Sequence, residues 1–230
     1  GILTHLSQTS GMVKIPEPGK HNFFERFKAE IFPVKNKNEN PDIYLVMCES
    51  CFTTFDDKFK TPIIKLQKHG YESTTVISPK YGGGTADVEF EALTGLPSDN
   101  LNGIKYQFYG NHFAQTSKTL PRALSEIGYL SMGFHNFRAL FWRRNEVYPR
   151  LGFLKSYFIE DMHWDKEDDW RPEDSVLYRS ALHELNQNVD SDKSLFFFMI
   201  TMFTHGEYES HADDGGEKSY RDALKVTTDD

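Results

Sequence analysis

Cysteine is nearly absent: the 230 residues contain two, both in Cys48-Glu49-Ser50-Cys51. A structural zinc site needs a second ligand pair that no further cysteine can supply, and a redox C-x-x-C normally opens a helix. The pair is therefore read as two small residues packing beside a strand end, and it leaves the redox compartment open. Positive charge is also short, with 26 Lys and Arg against 34 Asp and Glu for a net charge of −8. Such a chain has no general field to attract a polyanion, which excludes nucleic acid as a partner and leaves any anionic ligand to a few placed cations. Long apolar runs are missing too. The longest, Leu195 to Phe203, falls far below the roughly twenty residues of a membrane helix, and the N-terminus lacks the basic-then-apolar pattern of a signal segment. The opening Gly1-Ile2-Leu3-Thr4 has no initiator methionine, so the chain reads as a soluble piece cut from a longer protein.

What is present suits one α/β domain with a sizeable core, at 38% apolar and 14% aromatic content. Residues 1–40 are polar, broken by Pro16, Pro18 and Pro33, with Phe23, Phe24 and Phe27 on a short helix, and read as a lead-in segment. From Asp42 onward strand and helix signals alternate, which predicts a mostly parallel sheet flanked by helices. Ile43 to Met47 reads as a buried strand. Thr61-Pro62 opens a helix that Gly70 stops, and Tyr71 to Ser78 is expected as the next strand. A helix over Ser117 to Gly128 precedes a strand at Tyr129 to Phe134. A further helix starts at Pro172, Leu195 to Phe203 is the most buried strand, and a last helix begins at about Tyr220.

Ligands of open α/β sheets gather beyond the C-terminal strand edges. The residues expected there are Glu49, the Gly82-Gly83-Gly84-Thr85 loop, His135-Asn136 and His205. Three glycines allow turns closed to other residues and free amide N–H groups for an anion. A hydroxyl in the first helical turn lies at the positive end of the helix dipole. An alcohol still needs stronger activation to become a nucleophile, and coordination to a divalent cation supplies it, with Glu49 as the natural anionic ligand. The bland alternative is a flexible turn with Thr85 as an ordinary cap. The loop is no P-loop, because it lacks the Gly-Lys-Ser/Thr ending. Helical periodicity puts Ala86, Phe90 and Leu93 on a core stripe and Thr85 and Glu89 on another face, with Glu89 read as a surface acid in preference to an anchor behind the site. Between His135 and Glu146, Arg138, Arg143 and Arg144 interleave with Phe137, Phe141 and Trp142. That mixture suits a phosphate or sulfate beside a polyol, or else a surface patch. His205 either orients an anion or passes a proton, or is a structural hydrogen bonder.

The segment Gly83-Gly84-Thr85-Ala86-Asp87-Val88-Glu89-Phe90-Glu91-Ala92-Leu93-Thr94-Gly95 resembles the nucleophile segment of the lipoteichoic acid synthase and phosphoglycerol transferase family, within the sulfatase/alkaline phosphatase superfamily. Phe134-His135-Asn136, Phe141-Trp142-Arg143-Arg144 and Thr204-His205-Gly206 are similar to further family segments in the same order, so the resemblance runs from about Asp42 to the C-terminus. It implies a sulfatase/alkaline phosphatase-like fold in which residues 41–230 form the N-terminal portion of the catalytic domain. It implies Thr85 as nucleophile and metal ligand, Glu49 as a second ligand, and Trp142, Arg144 and His205 as contacts of a glycerophosphate group. The metal is manganese by resemblance, with magnesium or zinc as alternatives.

The activity so implied is transfer of phosphoglycerol from phosphatidylglycerol to a glycan or glycerolphosphate acceptor hydroxyl. It would occur on the extracytoplasmic face of the bacterial membrane, with the anchor in segments outside this chain. Arg143 and Asn145 depart from the Asn and Asp that relatives commonly place there. The Asp-His pair with which the family completes its metal site is missing, and Asp229-Asp230 does not replace it, so the 230 residues alone are expected to turn over little. Phosphoethanolamine or another phosphodiester donor is the alternative on the same fold, and a non-catalytic binder of anionic glycerol or glycan phosphates is the alternative outside enzymes. Sulfate-ester hydrolysis is disfavoured, since neither Cys48 nor Cys51 lies in the Cys/Ser-x-Pro-x-Arg context of sulfatases.

Overall fold

The computed structural model describes residues 40–51, 59, 61–74, 76–78, 80, 83–98, 118–164, 171–206, 208, 213 and 215–230. The lead-in, with the helix expected around Phe23 to Phe27, lies outside the described residues apart from Asn40. In chain order the elements are β1 (Ile43–Met47), α1 (Thr61–Lys68), α2 (Thr85–Thr94), α3 (Leu120–Glu126), β2 (Leu130–His135), α4 (Arg144–Leu151), β3 (Lys155–Tyr157), α5 (Asp174–Gln187), β4 (Leu195–Ile200) and α6 (Glu217–Asp229). Short 3-10 turns at Phe141–Arg143 and Ile159–Asp161 join the middle of the chain.

Among the described residues four strands form one sheet in the order β1-β4-β2-β3, and their pairings are all parallel. The expected parallel α/β architecture is therefore observed. β4 sits between β1 and β2 and is buried at all six positions. Its alternating side chains feed two cores, as the period-2 geometry of a strand requires. Phe196, Phe198 and Ile200 pack with Phe90 and Leu93 of α2, Leu124 of α3, and Val147, Tyr148 and Leu151 of α4. Leu195, Phe197 and Met199 pack on the other face with Val176, Leu177 and Ala181 of α5. The continuous apolar run of β4 reflects this two-sided burial.

Four sequence expectations are corrected. Ile43–Met47 forms its strand but is not a buried one: at the end of the strand order, it leaves Tyr44 and Val46 exposed. Residues 71–74 and 76–78 carry no strand; Val76 and Ile77 are 81% and 96% exposed, so the β-branched run has no apolar face to bury. β4 ends at Ile200 rather than Phe203, because the amides of Met202 and Phe203 leave the ladder to donate to Asp174 Oδ1 at 2.8 and 3.2 Å. α6 starts at Glu217, where Gly216 in the left-handed region (φ 85°) turns the chain into the helix. β3 was not anticipated, since three residues are too few to show a period.

α4 approaches the sheet closely at Gly133 of β2. A Cβ there would lie 2.6 Å from Tyr148 Cδ2, so the absent side chain makes room for the Tyr148 ring against the strand. That contact aims the phenol of α4 toward α2, where the chemistry-bearing groups collect.

Candidate active site

Glu49 lies two residues past the end of β1, in a turn covalently closed by a Cys48–Cys51 disulfide. The reading of the cysteines as two small packing residues is thus corrected: they lock the turn that carries the carboxylate. Ser50 within it holds φ at 58°, a left-handed conformation rare for a non-glycine residue. The turn is also tied down from a distance. Glu49 N–H donates to Thr201 Oγ1 at 3.0 Å, Thr204 Oγ1 donates to the Glu49 carbonyl, and Tyr220 of α6 donates to the Ser50 carbonyl at 2.8 Å.

Thr85 is the first residue of α2. Gly84, with φ at 91°, precedes it as the cap and makes no side-chain cap hydrogen bond. The Thr85 hydroxyl points to Glu49, lying 2.8 Å from both carboxylate oxygens. Two groups thirty-six residues apart thus meet at the strand edge, on the axis of a helix N-terminus. Burial pushes the Glu49 carboxyl up; the Thr85 hydroxyl, His205 and Arg144 oppose that shift, and Glu89 adds to it.

One turn further along α2 lies Glu89, which is fully buried at 0% exposure. The surface-acid reading is corrected here. Its carboxylate receives Arg144 Nε at 3.1 and 3.2 Å, a still shorter contact from Arg144 Nη2, and the Tyr148 hydroxyl at 3.2 Å. Arg144 is itself 1% exposed. Its guanidinium forks onto one carboxylate, the geometry that suits Arg better than Lys for a buried pair. Burial, followed by the neighbouring Glu89 charge, pushes the Tyr148 phenol well up, so it stays a hydrogen-bond donor. The period-3.6 stripe could have revealed Glu89: it falls beside Ala86, Phe90 and Leu93, all at 2% exposure or less.

Trp142 and Arg143 both adopt left-handed backbone, with φ at 56° and 52°. This double turn swings the chain from the Phe141–Arg143 turn into α4 and so delivers Arg144 inward. Asn tolerates this region better than Arg, which gives a physical reason for the Asn expected at position 143. Trp142 is half-buried against the first core and stands edge-on to Phe141, their centroids 5.5 Å apart. Arg143 pairs with Glu146, its Nε 3.0 Å from Oε1.

His135 closes β2 and is 2% exposed. Its Nδ1 lies 3.0 Å from the Ile200 carbonyl, and a carbonyl can only accept, so the neutral ring carries its proton on Nδ1. Burial, then the Arg144 charge, lowers its pKa well below the ordinary value. The unfolded chain therefore binds a proton that the folded chain refuses, and stability falls as pH drops below about 6.5. Relative to His135→Gln, the wild-type protein is expected to lose up to about 1.4 kcal/mol per pH unit below that point. Urea unfolding of both proteins between pH 5.5 and 7.5 measures the difference, in which other titrating groups cancel.

His205 lies beyond β4, exposed at the rim. Its place is set by a group that the sequence reading missed. Asp174, fully buried, receives the Met202 and Phe203 amides, Asn136 Nδ2 at 3.0 Å and Thr227 Oγ1 at 2.9 Å. The sequence reading begins a helix at Pro172 and gives Asp174 no role, and nothing local marks it as this hub.

A carboxylate and a hydroxyl are hard oxygen donors of the kind that bind manganese, magnesium or zinc. A desolvated carboxylate whose nearest guanidinium is already engaged with Glu89 is a fitting partner for a cation. The pair provides part of a coordination shell. Among the described residues no group of three or more His, Cys, Asp or Glu gathers to complete one.

With that geometry in view, the sulfatase family's sequence model matches residues 41–226. The chain belongs to the sulfatase family. It is 32% identical over 179 residues to a Rhizobium meliloti (strain 1021) protein named "Putative cyclic beta-1,2-glucan modification protein", covering 74% of the chain and 26% of that relative. It is 27% identical over 157 residues to the capsular polysaccharide biosynthesis protein RkpI of the same organism, covering 66% of the chain and 29% of RkpI. This sulfatase-family chain thus spans between a quarter and a third of the curated relatives it matches.

Among solved structures, the lipoteichoic acid synthase LtaP from Listeria monocytogenes superposes with a TM-score of 0.66 at 19% identity, over 91% of this chain and 56% of LtaP. The Streptococcus pyogenes phosphoglycerol transferase GacH, in complex with sn-glycerol-1-phosphate, superposes with a TM-score of 0.60 at 24% identity, over 90% of this chain and 59% of GacH. The family member described here therefore has the sulfatase/alkaline phosphatase-like fold that the Thr85 segment led one to expect. No helix among the described residues is long and apolar enough to cross a membrane.

Proposed function

We propose that this sulfatase-family domain serves a metal-dependent phosphotransferase that moves phosphoglycerol from a phosphatidylglycerol-type lipid to an acceptor hydroxyl, with Thr85 as the nucleophile. The observation that carries the reading is the Thr85 hydroxyl at a helix N-terminus, 2.8 Å from both oxygens of a half-buried Glu49. Glu49 and Thr85 would hold the divalent cation, manganese by resemblance with magnesium or zinc as alternatives. When bound, that ion supplies the charge that makes an alcohol oxygen nucleophilic at neutral pH.

The chain's own residues account for the rest. Thr85 Oγ1 attacks phosphorus and gives up its proton, a new O–P bond forms, and the P–O bond to diacylglycerol breaks as the departing oxygen takes up a proton, which leaves the glycerophosphate on Thr85. An acceptor hydroxyl then takes the group and restores Thr85; water in its place would give hydrolysis. The α2 amides face the phosphoryl oxygens with the positive end of the helix dipole. His205 and Trp142 flank the group at the rim. Arg144 contributes positive charge from below, acting through its field while its fork stays engaged with Glu89. The LtaP and GacH structures support the fold of this reading, and the glycerophosphate bound to GacH makes that headgroup the first one to test. The covalently closed Glu49 turn supports an extracytoplasmic setting, where disulfides persist.

The test uses the full-length protein with manganese and vesicles of phosphatidylglycerol labelled in the headgroup glycerol. Release of diacylglycerol with transfer of label to a glycan or glycerolphosphate acceptor is the expected result. Release from phosphatidylethanolamine vesicles alone would overturn the donor assignment. Metal-indifferent binding of glycerolphosphate without release would replace the transferase by a binding module.

A further inference from the structure

Glu49 is held at more points than a turn after an edge strand requires. Its N–H and its C=O are each taken by a side-chain hydroxyl, and both hydroxyls come from the segment that leaves β4. Thr201 Oγ1 accepts from Glu49 N–H at 3.0 Å, and Thr204 Oγ1 donates to the Glu49 carbonyl. Both threonines are fully buried.

Thr201 also closes the sheet here, since its own amide donates to the Met47 carbonyl at 3.1 Å. The last ladder bond between β4 and β1 and the first side-chain tether to Glu49 therefore belong to one residue. Thr204 holds the next peptide, on the other side of the Glu49 Cα, and its oxygen also lies 3.6 Å from Cys51 Sγ. Beyond Glu49, Tyr220 fixes the Ser50 carbonyl and the disulfide closes the turn. With both backbone polar groups of Glu49 pinned, only side-chain rotation remains, and the Thr85 hydroxyl limits that by straddling the carboxylate. Ligand orientation of this kind is what groups behind a metal site provide.

We propose that Thr201 and Thr204 are positioning residues that clamp the Glu49 backbone and thereby set the affinity of the Glu49–Thr85 pair for a divalent cation. This rests on the proposed metal role of that pair. Neither threonine touches the reacting atoms; each acts through Glu49. Valine at either position keeps the shape of threonine and removes the hydroxyl, whereas serine keeps the hydroxyl.

The test is manganese binding by the full-length protein without substrate, followed by the paramagnetic resonance signal of free Mn2+, on wild type, Thr201→Val, Thr204→Val, Thr201→Ser, Thr204→Ser and Glu49→Gln. Each valine variant is expected to bind Mn2+ about 10- to 100-fold more weakly, the range for removing a group that orients a ligand. Each serine variant should stay within a few-fold of wild type. Thermal unfolding identifies a variant that fails to fold, and the serine proteins then decide, since a purely structural hydroxyl would not tie rescue to metal affinity. If Glu49→Gln weakens binding while both valine variants bind as tightly as wild type, the clamp is overturned and the metal site stands. If Glu49→Gln leaves Mn2+ binding unchanged, the metal reading beneath both proposals fails.

Discussion

Arg144→Leu is expected to lower folding stability by about 3–5 kcal/mol, the cost of leaving a buried charge without its partner. The partner is Glu89, at 0% exposure, which would keep only the Tyr148 hydroxyl among the contacts described above. Glu89→Leu should cost a similar amount by stranding the guanidinium, itself 1% exposed. The double substitution Glu89→Leu, Arg144→Leu removes both charges and substitutes apolar volume, so it should cost several kcal/mol less than the two single changes added together. Urea unfolding of the four proteins closes the cycle. If the costs simply add, the two side chains do not act as a pair, and the structural account of α2 and α4 locking together fails.

Thr85→Ala is expected to reduce phosphotransfer by about ten-thousandfold or more, as befits loss of a nucleophile rather than of a binding contact. The substitution should leave the fold intact. Thr85 is the first helical residue but Gly84 is the cap and no side-chain cap bond is lost, and alanine is a good helix former. Thr85→Ser keeps an oxygen at the same place and should retain measurable turnover. The readout is diacylglycerol release from phosphatidylglycerol vesicles by the full-length protein at fixed manganese. Equal release by the alanine variant and wild type would remove Thr85 from the mechanism.

The parts of the molecule that were legible in the sequence are those where one local pattern decides the outcome. Leu195 to Ile200 is apolar at every position because both faces of β4 are covered, and Gly84-Thr85 shows where a helix begins. The rule that residues following parallel strands gather at one edge placed Glu49, whereas no strand among the described residues immediately precedes Thr85, so its meeting with Glu49 was legible only through the resemblance of its segment. The features that escaped are those fixed by tertiary partners. Glu89 is a carboxylate on a core stripe, and nothing local announces that Arg144, fifty-five residues away, will neutralise it. Asp174 is an acidic helix start in sequence and a four-fold hydrogen-bond acceptor in space. Tyr71 to Ser78 has the β-branched texture of a strand but no apolar face, so local propensity misled where burial decides. The double left-handed turn at Trp142 and Arg143 is invisible in residue types that ordinarily avoid it.

The covalent closure of the Glu49 turn bears on how the protein has to be prepared. Material matured in the cytosol of an expression host would start with two thiols, and its acidic side chain would hang on a loop lacking one of its fastenings. Samples from secretory and cytosolic production would then differ in activity while sharing one polypeptide, and thiol titration before assay would tell the batches apart.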